Sequence, residues 1–333
     1  MNPKRASLIW LAVLGAQSCL GFPRVSLAQT QSKPLRVGII SFGDSELGGH
    51  LRQTLLEALR ERGYVEGRNL QLVRGYAAGR PERVSEIANE FANQKLDMVV
   101  TTCTPTTRVM HKATQTIPLV MVAVSDPVGQ GLIASYPRPG GNVTGVASQF
   151  EDVAPKMLQL LVEAAPKASP VAVAFNPRNP VHTRFLKEIE AAAQPLGVRV
   201  SPLEIGREAD VAAKLDGTAP HGFASILVLP DDPLLSHLRR RFVEVAAKRR
   251  LPSFFGISEA VEDGGLMSYG QTLRQAYSRA AYFVDRIAKG AEPADLPVEQ
   301  PTRFELVVNR KTARALGLMI PQSVLLRADR VIE

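Results

Sequence analysis

The residues with chemistry to offer gather at a few places. Thr101, Thr102, Thr104, Thr106 and Thr107 surround Cys103 and Pro105. Asp231 and Asp232 stand side by side before Pro233, and Asn176 and Asn179 flank Pro177. Ser125 precedes Asp126, Ser258 precedes Glu259, and Ser41 precedes Phe42. Each cluster follows an apolar run rich in β-branched residues, and most lie beside a proline. In an open parallel sheet, ligands bind beyond the carboxyl ends of the strands, so polar groups collected there form a binding rim. The chemistry expected is recognition by hydrogen bonds and charge.

Two roles are open to most of these residues. The threonine cluster and the free N–H groups of a following helix suit a carboxylate, or the threonines cap that helix around a packed thiol. Asp231 and Asp232 offer charge to an ammonium, and Asp232 also fits the N-cap of the next helix. Asn176, Asn179, Ser125 and Asp126 can reach a ligand or stabilise turns.

Covalent and cofactor chemistry find less support. A nucleophilic Cys103 needs an adjacent base, and His111 lies eight residues further along a helix. The stretch around Ser258 half-matches a nucleophile elbow, but all five histidines, His50, His111, His182, His221 and His237, precede it, against the order such hydrolases use. No close histidine pair suggests a metal, and neither the phosphate-loop pattern nor the dinucleotide fingerprint occurs. The expectation is a protein without cofactor, metal or catalytic residues.

The elements that must hold the rim alternate strand with helix. From Leu35 the run LRVGIIS leads to a helix with Leu51, Leu55 and Leu59 at steps of four. NLQLVRGY, a helix over 81–95 with proline in its first turn, MVVTTC, a helix through Ala113, PLVMVAV and NVTGVAS follow. A second series restarts after Ala154 with a helix carrying Met157, Leu160, Leu161 and Ala164. It continues through PVAVAFN, a helix over 181–194, VRVSPLE, a helix over 209–215, SILVLP, a helix over 234–250, LPSFFG and GLMSYG. A helix over 276–289 and the strand RFELVVN end the chain's regular pattern. The fold class is therefore α/β, with two Rossmann-like lobes of parallel sheet. Lobe one is expected over 33–148 plus 275–333 and lobe two over 149–274, so that several crossing segments form a hinge.

Composition bounds the setting. Lys4 and Arg5 precede an apolar run over 8–16, and Ser26-Leu27-Ala28 precedes Gln29, the layout of a secretory signal peptide over 1–28. Cleavage near Ala28 would place the mature chain in the periplasm. Lipidation of Cys19 is the alternative, against which stands the poor match of Ala16-Gln17-Ser18 to a lipidation signal. The sequence has two cysteines, and with Cys19 removed no disulfide can form within the chain. The net charge of +8 falls to +5 once Lys4, Arg5 and Arg24 leave with the signal. The arginines at 239–241 and the basic residues at 248–250 fall outside the apolar stripe Leu235, Leu238, Phe242, Val245 and Ala246, which describes a solvated helix face and no nucleic-acid partner.

Three stretches carry a resemblance over nearly the whole mature chain: IPLVMVAVSDPVGQGLIASYPRPGGNVTG (117–145), EAVEDGGLMSYG (259–270) and FELVVNRKTARALGLMIPQSVLLRADRVIE (304–333). They resemble the periplasmic substrate-binding proteins of ABC importers of the tryptophan/tyrosine-binding type. The resemblance implies a type I periplasmic-binding fold. A monomer would close on a small amino acid or related carboxylate and deliver it to a membrane permease and its ATPase. It also implies a ligand shell of Ser41, Phe42, Thr102, Cys103, Thr104, Ser125 and Asp126 on one lobe. Asn176, Asn179, Asp231, Ser258 and Glu259 would face them from the other. The sequence departs from the family where Asp231-Asp232-Pro233 replaces the frequent Asp-Asn-Thr, and where Cys103 replaces a commoner small residue. An extracytoplasmic sensor domain for a signalling partner is the alternative function, and an exported hydrolase using Ser258 a weaker one.

Overall fold

The computed structural model describes residues 33–43, 45–216, 222–301 and 303–333. The signal-peptide segment and His221 lie outside the described residues. Among the described residues, no helix is long and apolar enough to cross a membrane.

The first series comprises β1 (Leu35–Ser41), α1 (Ser45–Glu61), β2 (Leu70–Tyr76), α2 (Pro81–Ala92), β3 (Met98–Thr102), α3 (Cys103–Ala113), β4 (Leu119–Ser125) and β5 (Val143–Ser148). The second comprises α4 (Phe150–Ala164), β6 (Val171–Phe175), α5 (Pro180–Ala193), β7 (Val200–Glu204), α6 (Glu208–Asp216), β8 (Ser225–Val228), α7 (Pro233–His237), α8 (Arg239–Arg249), β9 (Ser253–Phe255), α9 (Ser258–Glu262) and β10 (Met267–Gln271). Then follow α10 (Leu273–Ala288), a 3-10 turn (Pro293–Asp295), β11 (Phe304–Asn309), α11 (Arg310–Leu316), α12 (Gln322–Leu325) and β12 (Arg330–Ile332).

Strands buried on both faces read as unbroken apolar runs, and they pair in parallel when helices cover both sides. Every residue of β4 and β5 is buried. The first sheet has the order β2-β1-β3-β4-β5, all parallel. The second has the order β12-β11-β10-β9-β8-β6-β7. Its parallel part repeats the winding of the first sheet, because β6 sits between β7 and β8 as β1 sits between β2 and β3. Each sheet thus has a switch point, after β1 and β3 in one and after β6 and β8 in the other. A crevice opens at such points.

One expectation about the tail needs correcting. The strand at 304–309 does not extend the first lobe. β11 pairs antiparallel with β10 and parallel with β12, so both close the second sheet. Of this tail, α10, the 3-10 turn and the segment through Glu299, which bridges to Val146, return to the first sheet. Ala276, Ala280, Ala281, Phe283 and Val284 of α10 pack with Leu51, Leu55 and Leu59 of α1 over the first sheet. Leu306 and Val308 bury instead beside Leu266 and Met267. Among the described residues the backbone crosses between sheets three times, at residues 148–150, at 271–273 and between Glu299 and Phe304.

The helix expected over 234–250 is also interrupted. It ends at His237 and restarts at Arg239, with Leu238 at φ −81° and ψ 2° between the two pieces. The apolar stripe survives the break, since Leu235, Leu238, Phe242, Val245 and Ala246 are all buried. Arg239 departs from the solvated face: its guanidinium is buried in an ion pair with Asp263 at 2.8 Å.

Candidate functional site

Strand tips of both sheets meet around one cavity of about 90 Å³. From the first sheet come Ser41, Phe42, Thr102, Cys103, Val122 and Ala123. From the second come Asp231, Asp232, Pro233 and Ile257. Phe150, Leu273 and Tyr277, from segments at or next to the crossings, complete an apolar wall. This combination of apolar lining with few polar groups is the usual make-up of a small-molecule site.

The polar end is built by a relay between the sheets. The Ser125 N–H donates to Thr104 Oγ1 at 3.0 Å, and the Thr104 hydroxyl donates to Asp231 Oδ2 at 2.9 Å. These partners lie 127 residues apart in the chain and join the two rims directly. Asp231 Oδ1, by contrast, is buried with no hydrogen-bond partner. Burial pushes the Asp231 carboxyl up to about 8, and the neighbouring Asp232 adds to the rise while Thr104 and Ser125 oppose it. A buried acceptor without a donor costs about 1–3 kcal/mol.

The backbone here is held in uncommon shapes. Cys103, Ala123 and Asp231 have φ of 62°, 56° and 57°, in the left-handed region that non-glycine residues seldom occupy. Such strain persists only where surrounding structure enforces it and clusters at ligand clamps. At Ala123 its origin is local: the β4–β5 register shifts between Val122 and Val124, and the bulge turns Ala123 onto the cavity.

The Asp231 loop is braced from below. Asp232 accepts from Asn176 Nδ2 at 3.0 Å, from Asn179 Nδ2 at 3.1 Å and from the Leu235 N–H at 2.9 Å, which caps α7. Asn179 Nδ2 also donates to the Asp231 carbonyl at 2.7 Å. Behind them His182 accepts the Asn176 N–H on Nδ1 at 2.9 Å, which leaves Nε2 as the donor to the Pro230 carbonyl at 2.9 Å. Burial holds this histidine below its ordinary pKa, so it stays neutral.

The sequence-derived candidates therefore divide. Ser41, Phe42, Thr102, Cys103 and Asp231 line the cavity. Thr104 and Ser125 stand one bond behind it. Asn176 and Asn179 serve as braces, and Asp126 Oδ1 accepts the Gly129 N–H in a turn. Ser258 and Glu259 open α9 outside the lining, and burial raises the Glu259 pKa. Phe150, Leu273 and Tyr277 escaped the sequence reading because their helical spacing marks core positions as readily as a ligand wall. Tyr277 is 4% exposed, and burial raises its phenol despite a bond with Thr102.

Cys103 faces the cavity without the traits of a nucleophile. Burial pushes its thiol up to about 12 against the opposing bond from Thr106, whose hydroxyl lies 3.4 Å from the sulfur. The thiolate is the reactive form, so alkylation of the native protein by iodoacetamide at pH 8 should be far slower than in urea. Equal rates in the two states would show that the thiol is not raised. Among the described residues no group of three or more histidine, cysteine, aspartate or glutamate side chains is placed to hold a metal.

Comparison with known proteins bears on this geometry. A family model described as ABC transporter substrate binding protein matches residues 36–332. The tyrosine-binding protein of Clostridioides difficile (strain R20291) is 25% identical over 325 residues, covering 95% of this chain and 93% of the relative. A conserved domain protein from Vibrio cholerae has a crystal structure similar at a TM-score of 0.82 and 29% identity, covering 90% of this chain and all of that one. A domain from Streptococcus pneumonia solved in complex with L-Trp has a TM-score of 0.79 at 24% identity, with coverage of 90% and 100%.

Proposed function

This chain belongs to the ABC transporter substrate binding protein family, and we propose on that premise that its two lobes close on one amino acid, its ammonium held by Asp231. The family is one of solute-binding proteins and not of enzymes, and the two wound sheets have the type I periplasmic binding fold. The observation that carries the ligand class is the unpartnered Asp231 Oδ1, buried at the polar end of an otherwise apolar cavity. An ammonium supplies the missing donor by a charge-assisted bond. The ligand's carboxylate then meets the start of α3 near Thr102 and Cys103, where Thr102 makes no side-chain cap to the helix's first N–H groups. Phe42, Phe150, Ile257 and Tyr277 enclose an apolar or aromatic side chain. The 25% identity to a tyrosine-binding protein supports this choice.

No covalent step is needed. A ligand that touches both rims stabilises their approach by its differential affinity for the closed arrangement. Micromolar binding corresponds to about −8 kcal/mol, within reach of a few charge-assisted bonds and apolar enclosure. In this reading the chain is exported after cleavage near Ala28, works in the periplasm as a monomer, and presents the closed form to a permease and its ATPase.

Native mass spectrometry of the purified protein, followed by calorimetry with an amino-acid panel, tests the reading. The expected result is a co-purified mass that matches an amino acid, and saturable one-to-one binding. Binding of a sugar or polyamine with no response to any amino acid would overturn it.

A further inference from the structure

A second cavity of about 440 Å³ lies at the crossings, apart from the crevice. Its lining includes Arg62, Gln271, Gln275, Arg279 and Arg303, and Glu299 beside them. Glu299 is neutralised by a bidentate pair with Arg279, at 2.6 and 2.5 Å, and Arg303 pairs with Asp329 at 2.8 Å. Arg62 donates to the Ala58 carbonyl at 2.8 Å, and its charge also helps to lower the Asp285 carboxyl, which Lys289 and Tyr64 bond directly. The balance of the lining is positive.

Two further features point to a ligand. Gln271 is 5% exposed, and both its amide nitrogen and its amide oxygen are buried without a hydrogen-bond partner. Leaving both unsatisfied is costly, and such groups in folded proteins are nearly always paired. The adjoining Thr272 is the N-cap of the 16-residue α10 and makes no side-chain bond to its first N–H groups. A helix start of this kind favours an anion.

We propose that this hinge cavity is a second binding site, for a small oxyanion of the phosphate or carboxylate class, held by Arg62, the start of α10 and the Gln271 amide. Its position couples it to the crevice. Thr272, Gln275, Ala276 and Arg279 follow the i, i+3, i+4, i+7 spacing of one helix face and line the hinge cavity. Leu273 and Tyr277, one turn apart on another face, line the crevice. One helix thus walls both cavities, and an anion bound between Gln271 and Thr272 on one side and Pro301 and Arg303 on the other ties together two of the three crossings. It therefore biases closure and changes affinity in the crevice. This coupling, though not the anion site itself, rests on the crevice being a ligand site.

The test is calorimetry of the purified protein with inorganic phosphate and, separately, citrate, at fixed ionic strength and without amino acids. Saturable binding of at least one is expected, and which one binds distinguishes phosphate from carboxylate as the source. Arg62→Gln should weaken it about tenfold, the effect of one charge-assisted contact. Gln271→Met should weaken it similarly while its melting temperature holds or rises, because an unsatisfied amide is removed. Binding of neither anion, or wild-type affinity in both variants, overturns the site. With the anion present, the dissociation constant for L-tyrosine or L-tryptophan should shift at least about threefold in the wild type and not in Arg62→Gln. An unchanged constant overturns the coupling, whereas failure of every amino acid to bind touches only the crevice reading.

Discussion

Asp231→Asn should weaken amino-acid binding about ten- to hundredfold, the worth of roughly 1.5–3 kcal/mol for a hydrogen bond to a charged group. The substitution keeps the shape that accepts the Thr104 hydroxyl at 2.9 Å and removes only the charge. Its pH signature separates the role of the carboxylate from general damage. With a carboxyl pKa of about 8, the ligand-free protein carries Asp231 largely neutral at pH 7. An ammonium requires the charged form, so binding at that pH releases close to one proton. Affinity should rise up to about tenfold per pH unit toward pH 8 and level off above it. Calorimetry in buffers of different ionisation enthalpy reads the released proton directly. In Asp231→Asn both the release and the slope should vanish, and a variant with an unchanged pH slope would remove Asp231 from the ammonium site.

The same shift bears on stability without ligand. Asp231 has a folded pKa raised above its ordinary value of 3.8. The folded state therefore binds the proton more tightly than the unfolded chain does. The resulting contribution is fully present below about pH 4 and is lost as pH rises through about 8. Asp231→Asn should flatten this part of the profile, and ligand-free melting temperatures at pH 5 and pH 8 should lie closer together than in the wild type.

Gly145→Ala is expected to be the most damaging single methyl in the sheet next to the hinge. Gly145 has φ 131°, which an alanine seldom adopts, and a Cβ there would lie 2.2 Å from the Met121 carbonyl oxygen of the adjacent β4. Backbone cannot rotate away as a side chain can, so β4 and β5 must separate or shift. Gly145 also accepts the Glu299 N–H at 3.0 Å, and Glu299 accepts from Ala147 N–H at 2.8 Å, so the shift reaches a crossing segment. A loss above about 3 kcal/mol places the change among severe single substitutions, and a fall in melting temperature of about 5 °C follows for a chain of this size. A melting temperature within about 2 °C of wild type would mean that β5 yields freely at this point.

Much of this molecule was legible before folding. Strand and helix periods are local, so the runs that became β1, β3, β4, β6 and β8 announced themselves, and the polar residues at their ends were readable as a rim. Asp231 stood out because a carboxylate after the buried strand SILV has few other uses, and Asp232 because proline after it marks a helix start. Departures arose where partners are remote. Nothing local tells RFELVVN which sheet to join: a strand buried on both faces from Leu306 to Asn309 fits either, and the antiparallel ladder with β10 decided. The break at Leu238 depends on docking of the two pieces, not on propensity, and the buried pairing of Arg239 with Asp263 joins residues 24 positions apart.

The amino-acid sequence by itself determined the repeated strand-helix rhythm, the two-lobe class and the chemistry available at each strand tip, because these follow from neighbours within a few residues. Only the tertiary structure decided which tips meet. Thr104 finds Asp231 across 127 residues; Asn176 and Asn179 turn into braces for the aspartate loop. Tyr277 joins a ligand wall, and Gln271 is left with an unanswered amide at the hinge. Such meetings depend on how two sheets stack and where the chain crosses between them, and no local spacing encodes that.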